Sequence, residues 1–465
     1  MPRFTDPQAK HEFMLTTPIP RLVTCMALPC IAGMMVTSAY NLADTLFVSR
    51  LGTYATGAVG VNGAIDNIIM MAGSLLAVGT ASVTARLLGA KEDEHATNVL
   101  STSYFVAMLL GVLVLIFGTV YQEPLLRLLG ANDAIMPYSQ DYCRYVLLAA
   151  PFMAMNFVLN QSLRAEGSAV FSMIGMVSGA VINVALDPIF IFVLDWGVAG
   201  ASAATAISKL ISWVILMTPY FRGKTLLKIK LSRFRPTRED AWGVCSMGSS
   251  SFFRNGLATL AAILLNRIAV GYSESALAAI SVANRVTMFM TSACLGFGQG
   301  FLPVAGYSWG ARRFDRVKEA FRFSKLACVV GITVFAALVA VFARPLLLCF
   351  TEEDEELVRI GVFSLRMQCL AMPLHGYAII VNMLSSGIGR AFNATLMGLS
   401  RQGICFYPIL PVMSRCFGVW GIASLQAAAD ILTTAIAVPI DISTTKLVNE
   451  KMQTENAPVP QKCGA

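Results

Sequence analysis

The sequence predicts an all-α polytopic membrane protein, with about twelve transmembrane helices in two pseudo-symmetric six-helix lobes around a central cleft. Three observations predict it: too little charge for a soluble surface, about twelve apolar runs of bilayer length, and an internal repeat.

Hydrophobic residues make up 56% of the 465 and charged residues 13%, with a mean hydropathy of +0.66. Soluble chains carry about 25% charged residues, so a soluble fold of this length could not cover its surface. The basic excess, 35 Lys+Arg against 27 Asp+Glu, fits membrane loops better than a nucleic-acid face, and no nucleic-acid partner is expected. Cys25, Cys30, Cys245, Cys294, Cys328, Cys369 and Cys405 lie inside apolar runs, where cysteine behaves as a small hydrophobe. They are expected to be free thiols. The N-terminal stretch is polar and lacks the apolar core of a cleavable signal peptide.

A bilayer core of roughly 30 Å needs about 20 apolar residues per helix. Runs of that size fall at 18–48, 60–85, 96–120, 140–162, 168–194 and 199–221, then at 244–270, 278–305, 320–345, 358–386, 392–415 and 419–442. The expected division is therefore an N-lobe over 1–221, a basic linker over 222–243, a C-lobe over 244–445 and a tail over 446–465.

Lys and Arg in short loops stay cytoplasmic. The linker holds Arg222, Lys224, Lys228, Lys230, Arg233, Arg235 and Arg238. Loops of the same parity hold Arg86 and Lys91, Arg164, Arg312 with Arg313, and Arg390, while the other side carries the acidic stretch Glu352–Glu356. Both termini and the linker are expected in the cytoplasm, and the protein in a bacterial inner membrane.

The repeat has a nearly constant offset. At 221, Gly79 meets Gly300, Gly89-Ala90 meets Gly310-Ala311, and Gly197 with Gly200 meets Gly418 with Gly421. At 222, Asn62 meets Asn284, Pro151 meets Pro373, and Gly167 meets Gly389. Each half has an even helix count, so the halves run the same way through the membrane, with substrate handled at their interface. Such duplication suits a transporter and argues against a receptor or channel.

The first helix reads Pro29, then Tyr40-Asn41-Leu42-Ala43-Asp44-Thr45-Leu46-Phe47-Val48 and Leu51-Gly52. The fifth reads Asn183-Val184-Ala185-Leu186-Asp187-Pro188-Ile189-Phe190-Ile191, and Gly197-Val198-Ala199-Gly200-Ala201 opens the sixth. In these segments, and over essentially its whole length, the chain resembles the MATE family of multidrug and toxic compound extrusion transporters. The resemblance implies export of amphipathic, often cationic, organic compounds by alternating access, driven by inward proton or sodium flow. A lipid-linked oligosaccharide flippase of the same superfamily is the alternative; an enzyme is not expected, since no catalytic set is visible.

Ionisable residues at membrane depth are functional candidates. Measured from the outer ends of their predicted helices, Asp44, Asp187 and Thr205 fall at roughly 7–11 Å depth at 1.5 Å per residue, with Asn183 one turn deeper. By the resemblance, these four positions form an N-lobe polar cluster proposed to bind the coupling cation. Two carboxylates in a dry pocket cannot both ionise cheaply, so the site is suited to a proton. Sodium through the same oxygens stays open. So does the plainer reading, in which Asp44 meets outer water and Asp187 caps the break before Pro188. Pro29 is expected to kink the first helix, as a hinge or as static packing. Asn41, Asp66, Arg254, Asn255 and Asp430 are candidates for cleft contacts.

The second half lacks the acid cluster. By the repeat, Asp44 corresponds to Asn266, and Asp187 to Pro408 or Ile409. Family members that use C-lobe carboxylates for sodium have acids in their seventh and tenth helices; here the seventh offers Arg254 and Asn255, and the tenth offers none around Tyr377–Asn382. Arg254 and Asp430, both at roughly 15–18 Å depth, are expected to pair. Gly223-Lys224-Thr225 is no phosphate loop, because Thr218 stands where its first Gly should be. His11, His95 and His375 have no zinc spacing. No cofactor or metal is expected beyond the coupling ion; the partners are a small organic substrate and membrane lipid, and the chain is expected to act as a monomer.

Overall fold

With no water at membrane depth to satisfy the backbone, apolar runs must close their hydrogen bonds internally as helices. The computed structural model describes residues 7–348 and 354–456; Glu352 and Glu353 of the acidic stretch and the tail beyond 456 lie outside them. A short helix, α1 (Pro7–Thr16), precedes the first six spans: α2 (Ile19–Ser49), α3 (Thr53–Gly89), α4 (Asp93–Val120), α6 (Met136–Ala165), α7 (Ala169–Pro188, continued by a π turn over Ile189–Val193) and α8 (Gly197–Phe221). A short α5 (Gln122–Leu128) joins α4 to α6. The second six are α9 (Arg238–Val270), α10 (Glu274–Gly310), α11 (Phe314–Val341), α13 (Glu355–Gly387), α14 (Ala391–Leu399) with its own π turn Ser400–Ile404, and α15 (Phe406–Asn456); α12 (Ala343–Leu348) mirrors α5.

Among the described residues, ten helices are long and apolar enough to cross a membrane. The last of them runs from Ala391 to Glu455 and divides at Gly418, whose backbone (φ 54, ψ −131) only glycine adopts without strain. The other addition is α9, 33 residues long and interrupted by Arg254 and Arg267. Twelve spans result. Their turns repeat in detail: Lys91 and Arg312 share a left-handed backbone (φ 63 and 56), as do Gly167 and Gly389 (80 and 87) and Gly197 and Gly418 (53 and 54).

The two lobes touch through α2 against α10 and through α3 against α9 and α10. The repeat glycines lie in these seams. A Cβ on Gly79 would collide with the Val244 carbonyl, on Gly300 with the Ala27 backbone (nearest atom 2.5 Å), on Gly89 with the Tyr307 carbonyl, and on Gly310 with the Arg86 carbonyl. Ser82 donates to the Ser386 carbonyl and Arg164 to Gln299 across the same region. All of this lies toward the linker end. Toward the other end the core divides: Val48, Ile65, Leu126 and Val146 pack in the N-lobe, Leu265, Phe406, Leu410 and Ile422 in the C-lobe. The cleft is closed at the linker end and widens away from it.

Pro29 is buried within α2, between the Ala27 and Ile31 positions where Gly300 and Gly296 press in from α10. Gly300→Leu is expected to wedge this seam apart. Cys30, 1% exposed here, should then react with a membrane-permeant maleimide several times faster, read by mass spectrometry, while transport falls. Unchanged labelling would show that the seam tolerates the side chain.

The linker end is further laced by α1, which the sequence reading did not anticipate. Lys10 donates to Ser168 Oγ (2.9 Å) and to the Lys224 carbonyl (2.7 Å) from the N-lobe side. Arg316 of α11 donates to the carbonyls of Met14 (3.2 Å) and Thr17 (2.8 Å) from the C-lobe side. Beneath α1, just past the end of α6, Glu166 is fully buried and accepts from Tyr220 Oη (3.2 Å) and the Leu226 amide (2.8 Å). Burial pushes its carboxyl up to about 7, opposed by the nearby Lys10 ammonium and these donors. A carboxyl that holds its proton more tightly when folded costs stability as pH rises from its ordinary value through its folded one. Glu166→Gln removes that dependence. The variant should gain on the wild type by roughly 2–3 kcal/mol between about pH 4.5 and 7, visible as diverging melting temperatures in detergent. Parallel melting curves across that range would refute the assignment.

Candidate functional site

The N-lobe cluster is built where α7 ends. Asn183 and Asp187, one turn apart, point the same way, and Asn183 Nδ2 donates both to Asp187 Oδ1 (3.2 Å) and to Thr205 Oγ1 on α8 (3.2 Å). Asn183 and Asp187 are buried, while Thr205 is half-buried. Asp44, on α2, is in electrostatic contact with Asp187, although no hydrogen bond joins them. The position of α2 follows from packing along α7, with much less against α8. Of these groups, Asp44 Oδ1, Asp187 Oδ2 and Asn183 Oδ1 are buried without a hydrogen-bond partner. Buried polar atoms are nearly always paired, so three orphaned oxygens in one pocket are a strong departure.

Asp66 joins this cluster from α3, half-buried and in electrostatic reach of Asp44. Asn41 is exposed on α2, one turn before Asp44. The sequence reading missed Lys209. Its Nζ donates to Tyr40 Oη (3.2 Å), lies 5.3 Å from that ring's centre, and feels both Asp66 and Asp44. The signal was present: a lysine four residues after Thr205 shares its helix face. Tyr142 of α6 closes the pocket, buried among the fields of Asp66, Asp44 and Asp187. Asp44 and Asp66 thus face one ammonium, and Asp187 joins them through Asp44.

The C-lobe differs from the sequence expectation. Asp430, 2% exposed, pairs with Arg401 and not with Arg254: Arg401 Nε donates to Oδ1 (2.6 Å) and Nη2 to Oδ2 (3.1 Å). His375 Nδ1 lies 3.2 Å from Oδ1 without hydrogen-bond alignment. The physical reason is that α9 packs on α14 and on the π turn after it. Arg401 sits on that turn and takes both oxygens of Asp430 with its fork, whereas Arg254 turns to a serine of its own helix. Arg254, half-buried, donates only to Ser251 Oγ (3.3 Å), and among the described residues no carboxylate lies within 4 Å of it. Asn255 Nδ2 crosses to Ser74 Oγ of the N-lobe (3.1 Å), so it ties the lobes at the cleft floor.

Comparison with known proteins agrees with this architecture. The MatE family model matches residues 29–189 and 251–414, two segments whose starts are separated by the repeat offset of 222. Multidrug export protein MepA of Staphylococcus saprophyticus subsp. saprophyticus is 27% identical over 429 residues, covering 92% of this chain and 94% of that one. The MepA of Staphylococcus aureus strain MSSA476 is 25% identical over 427 residues, covering 91% and 94%. Among solved structures, one described as the outward-facing conformation of a multidrug resistance MATE family transporter of the MOP superfamily superposes with a TM-score of 0.88. It is 26% identical, over 95% of this chain and 98% of the other. A MOP superfamily transporter from Pyrococcus furiosus, described as having a binding pocket of reverse polarity that suggests a different function, gives 0.87 at 25% identity over 95% and 98%.

Proposed function

The chain belongs to the MatE family and is a multi-pass membrane transporter rather than an enzyme, and on that premise we propose that it is a proton-coupled antiporter exporting amphipathic organic compounds by alternating access. Its lobes would be residues 1–221 and 244–445, its termini cytoplasmic, and its membrane the bacterial inner membrane. With the basic linker inside, a cleft closed at the linker end is the outward-open state.

The observation that carries the coupling assignment is the orphaned oxygens of Asp44 and Asp187 beside Asn183 and Thr205. A proton satisfies one such oxygen by turning it into a donor. Sodium would need several converging oxygens, and it would enter a pocket where Lys209 already supplies one cation. That favours the proton. Occupancy would then alternate: proton entry neutralises the acids and releases a cationic substrate, and proton loss to the inside restores their charge.

Purified protein in vesicles with an imposed pH gradient tests the reading. Substrate should provoke proton movement, equally in sodium and choline buffers. Proton flux without substrate would indicate a channel, and strict sodium dependence would replace the proton as coupling ion.

A further inference from the structure

Arg254 stands roughly 24 Å along α9 from its Arg238 end, at 1.5 Å per residue, and so near the middle of a 33-residue helix. The C-lobe carboxylate at that depth, Asp430, is already held by two bonds from Arg401 with His375 beside it. Arg254 is left with one weak hydroxyl contact, to Ser251. A guanidinium cannot shed its proton to escape burial, and an unpartnered charge at membrane depth is unfavourable. A lysine or histidine in its place could neutralise itself; arginine is suited to keeping the charge for something that arrives.

The neighbours say where that something would come from. Asn255 bridges to Ser74 of the opposite lobe, and a Cβ on Gly256 would stand 2.7 Å from Cε of Met71, also of the opposite lobe. Arg254 reaches this seam through its one contact: Ser251, to which its guanidinium donates, lies one turn before Asn255 on the same helix face, and Arg254 itself is half-buried. Arg254 and Arg401 both act electrostatically on His375 and Asp430 opposes them, so the C-lobe side sets two guanidinium charges against one carboxylate. Across the cleft, Asp44, Asp66 and Asp187 outnumber Lys209. The two walls have opposite sign.

We infer that Arg254 is a docking group for the carboxylate of a transported amphiphile, so that the cleft takes zwitterions with their cation toward the N-lobe acids and their anion toward the C-lobe. The inference rests on the transporter reading and adds a subsite to it. The planar fork favours a carboxylate, which it can grip with two parallel bonds. A phospholipid phosphate entering from the bilayer would satisfy the same fork, and the test separates the two sources.

The probe is a matched pair of fluorescent amphiphilic amines, one with a free carboxylate and one with its methyl ester. Binding is measured in detergent and transport in vesicles of phosphatidylcholine alone, then with phosphatidylglycerol added. The wild type should bind and transport the acid with about tenfold lower Kd and KM than the ester, the size of one charge-assisted contact. Arg254→Gln should erase that preference by weakening the acid far more than the ester, and Arg254→Lys should restore part of it. A wild type indifferent to esterification, or an Arg254→Gln variant that loses both probes equally, would overturn the inference. So would a preference that vanishes whenever phosphatidylglycerol is present, because lipid phosphate would then be the occupant. If Asp44 and Asp187 variants lose ester transport while the wild type ignores the carboxylate, the antiporter reading survives and this subsite does not.

Discussion

Asp187→Asn is expected to reduce substrate-driven proton movement to that of empty vesicles while leaving the fold intact, and Asp44→Asn to do the same. The fold survives because neither carboxylate is a structural anchor. Asp187 receives one bond, from Asn183, which an amide oxygen at position 187 can still accept, and Asp44 Oδ1 has no partner to lose. The amide cannot take up and release a proton, so the charge cycle stops. Asp66→Asn should be milder, since Asp66 stands beside Lys209 and outside the Asn183–Thr205 bonds. Lys209→Met gives the companion result: with the resident cation gone, transport should become sensitive to sodium. Size-exclusion profile and melting temperature establish folding for each variant. Normal pH-driven efflux by both Asp44→Asn and Asp187→Asn would remove the cluster from the mechanism.

The parts of this molecule governed by the bilayer were legible in the sequence, and the parts governed by side-chain direction were not. Each predicted span overlaps a helix, but α3 and α10 run 37 residues against predicted runs of 60–85 and 278–305. Helices continue past the hydrocarbon, as α3 does to an exposed Thr53, and an apolar count cannot see those turns. The N-lobe layer was legible because Asn183 and Asp187 are one turn apart and their partner lies near the start of the next helix. Lys209 was passed over although it lies mid-way along the predicted run 199–221, one turn after Thr205. The repeat glycines were recognised as a pattern, yet their use, a close seam between lobes, depends on which face meets which neighbour. Asp430 shows the same limit: depth pointed to Arg254, and Arg401, carried on the π turn over Ser400–Ile404, is the residue that meets it. An extra residue in a helical turn rotates everything beyond it, and no periodicity in the sequence announces it.

Asp430→Asn should destabilise the C-lobe by about 3–5 kcal/mol, the cost of leaving a buried ion pair with one partner. The site is strict on both sides. Asp430 is almost fully enclosed and takes two guanidinium bonds, while Arg401 is 15% exposed, so water can repair little of the loss. Arg401→Met should cost as much or more, because it strands a carboxylate whose nearest remaining cationic candidate, His375, is enclosed and poorly aligned with it. Joining the two as Asp430→Leu with Arg401→Met removes both charges and keeps the volume. That double variant should recover much of the loss, since apolar replacement of a whole buried pair is often neutral or better. Unfolding in detergent measures the cycle, and a coupling energy well above about 1 kcal/mol is expected for groups in direct contact. Strictly additive losses would mean that the bonds contribute nothing as a pair. Transport separates structure from chemistry: a folded double variant that still exchanges substrate for protons makes this pair a brace between α14 and α15. A folded but inactive one would bring Asp430 into the transport cycle, and the C-lobe would then be more than a wall for the cleft.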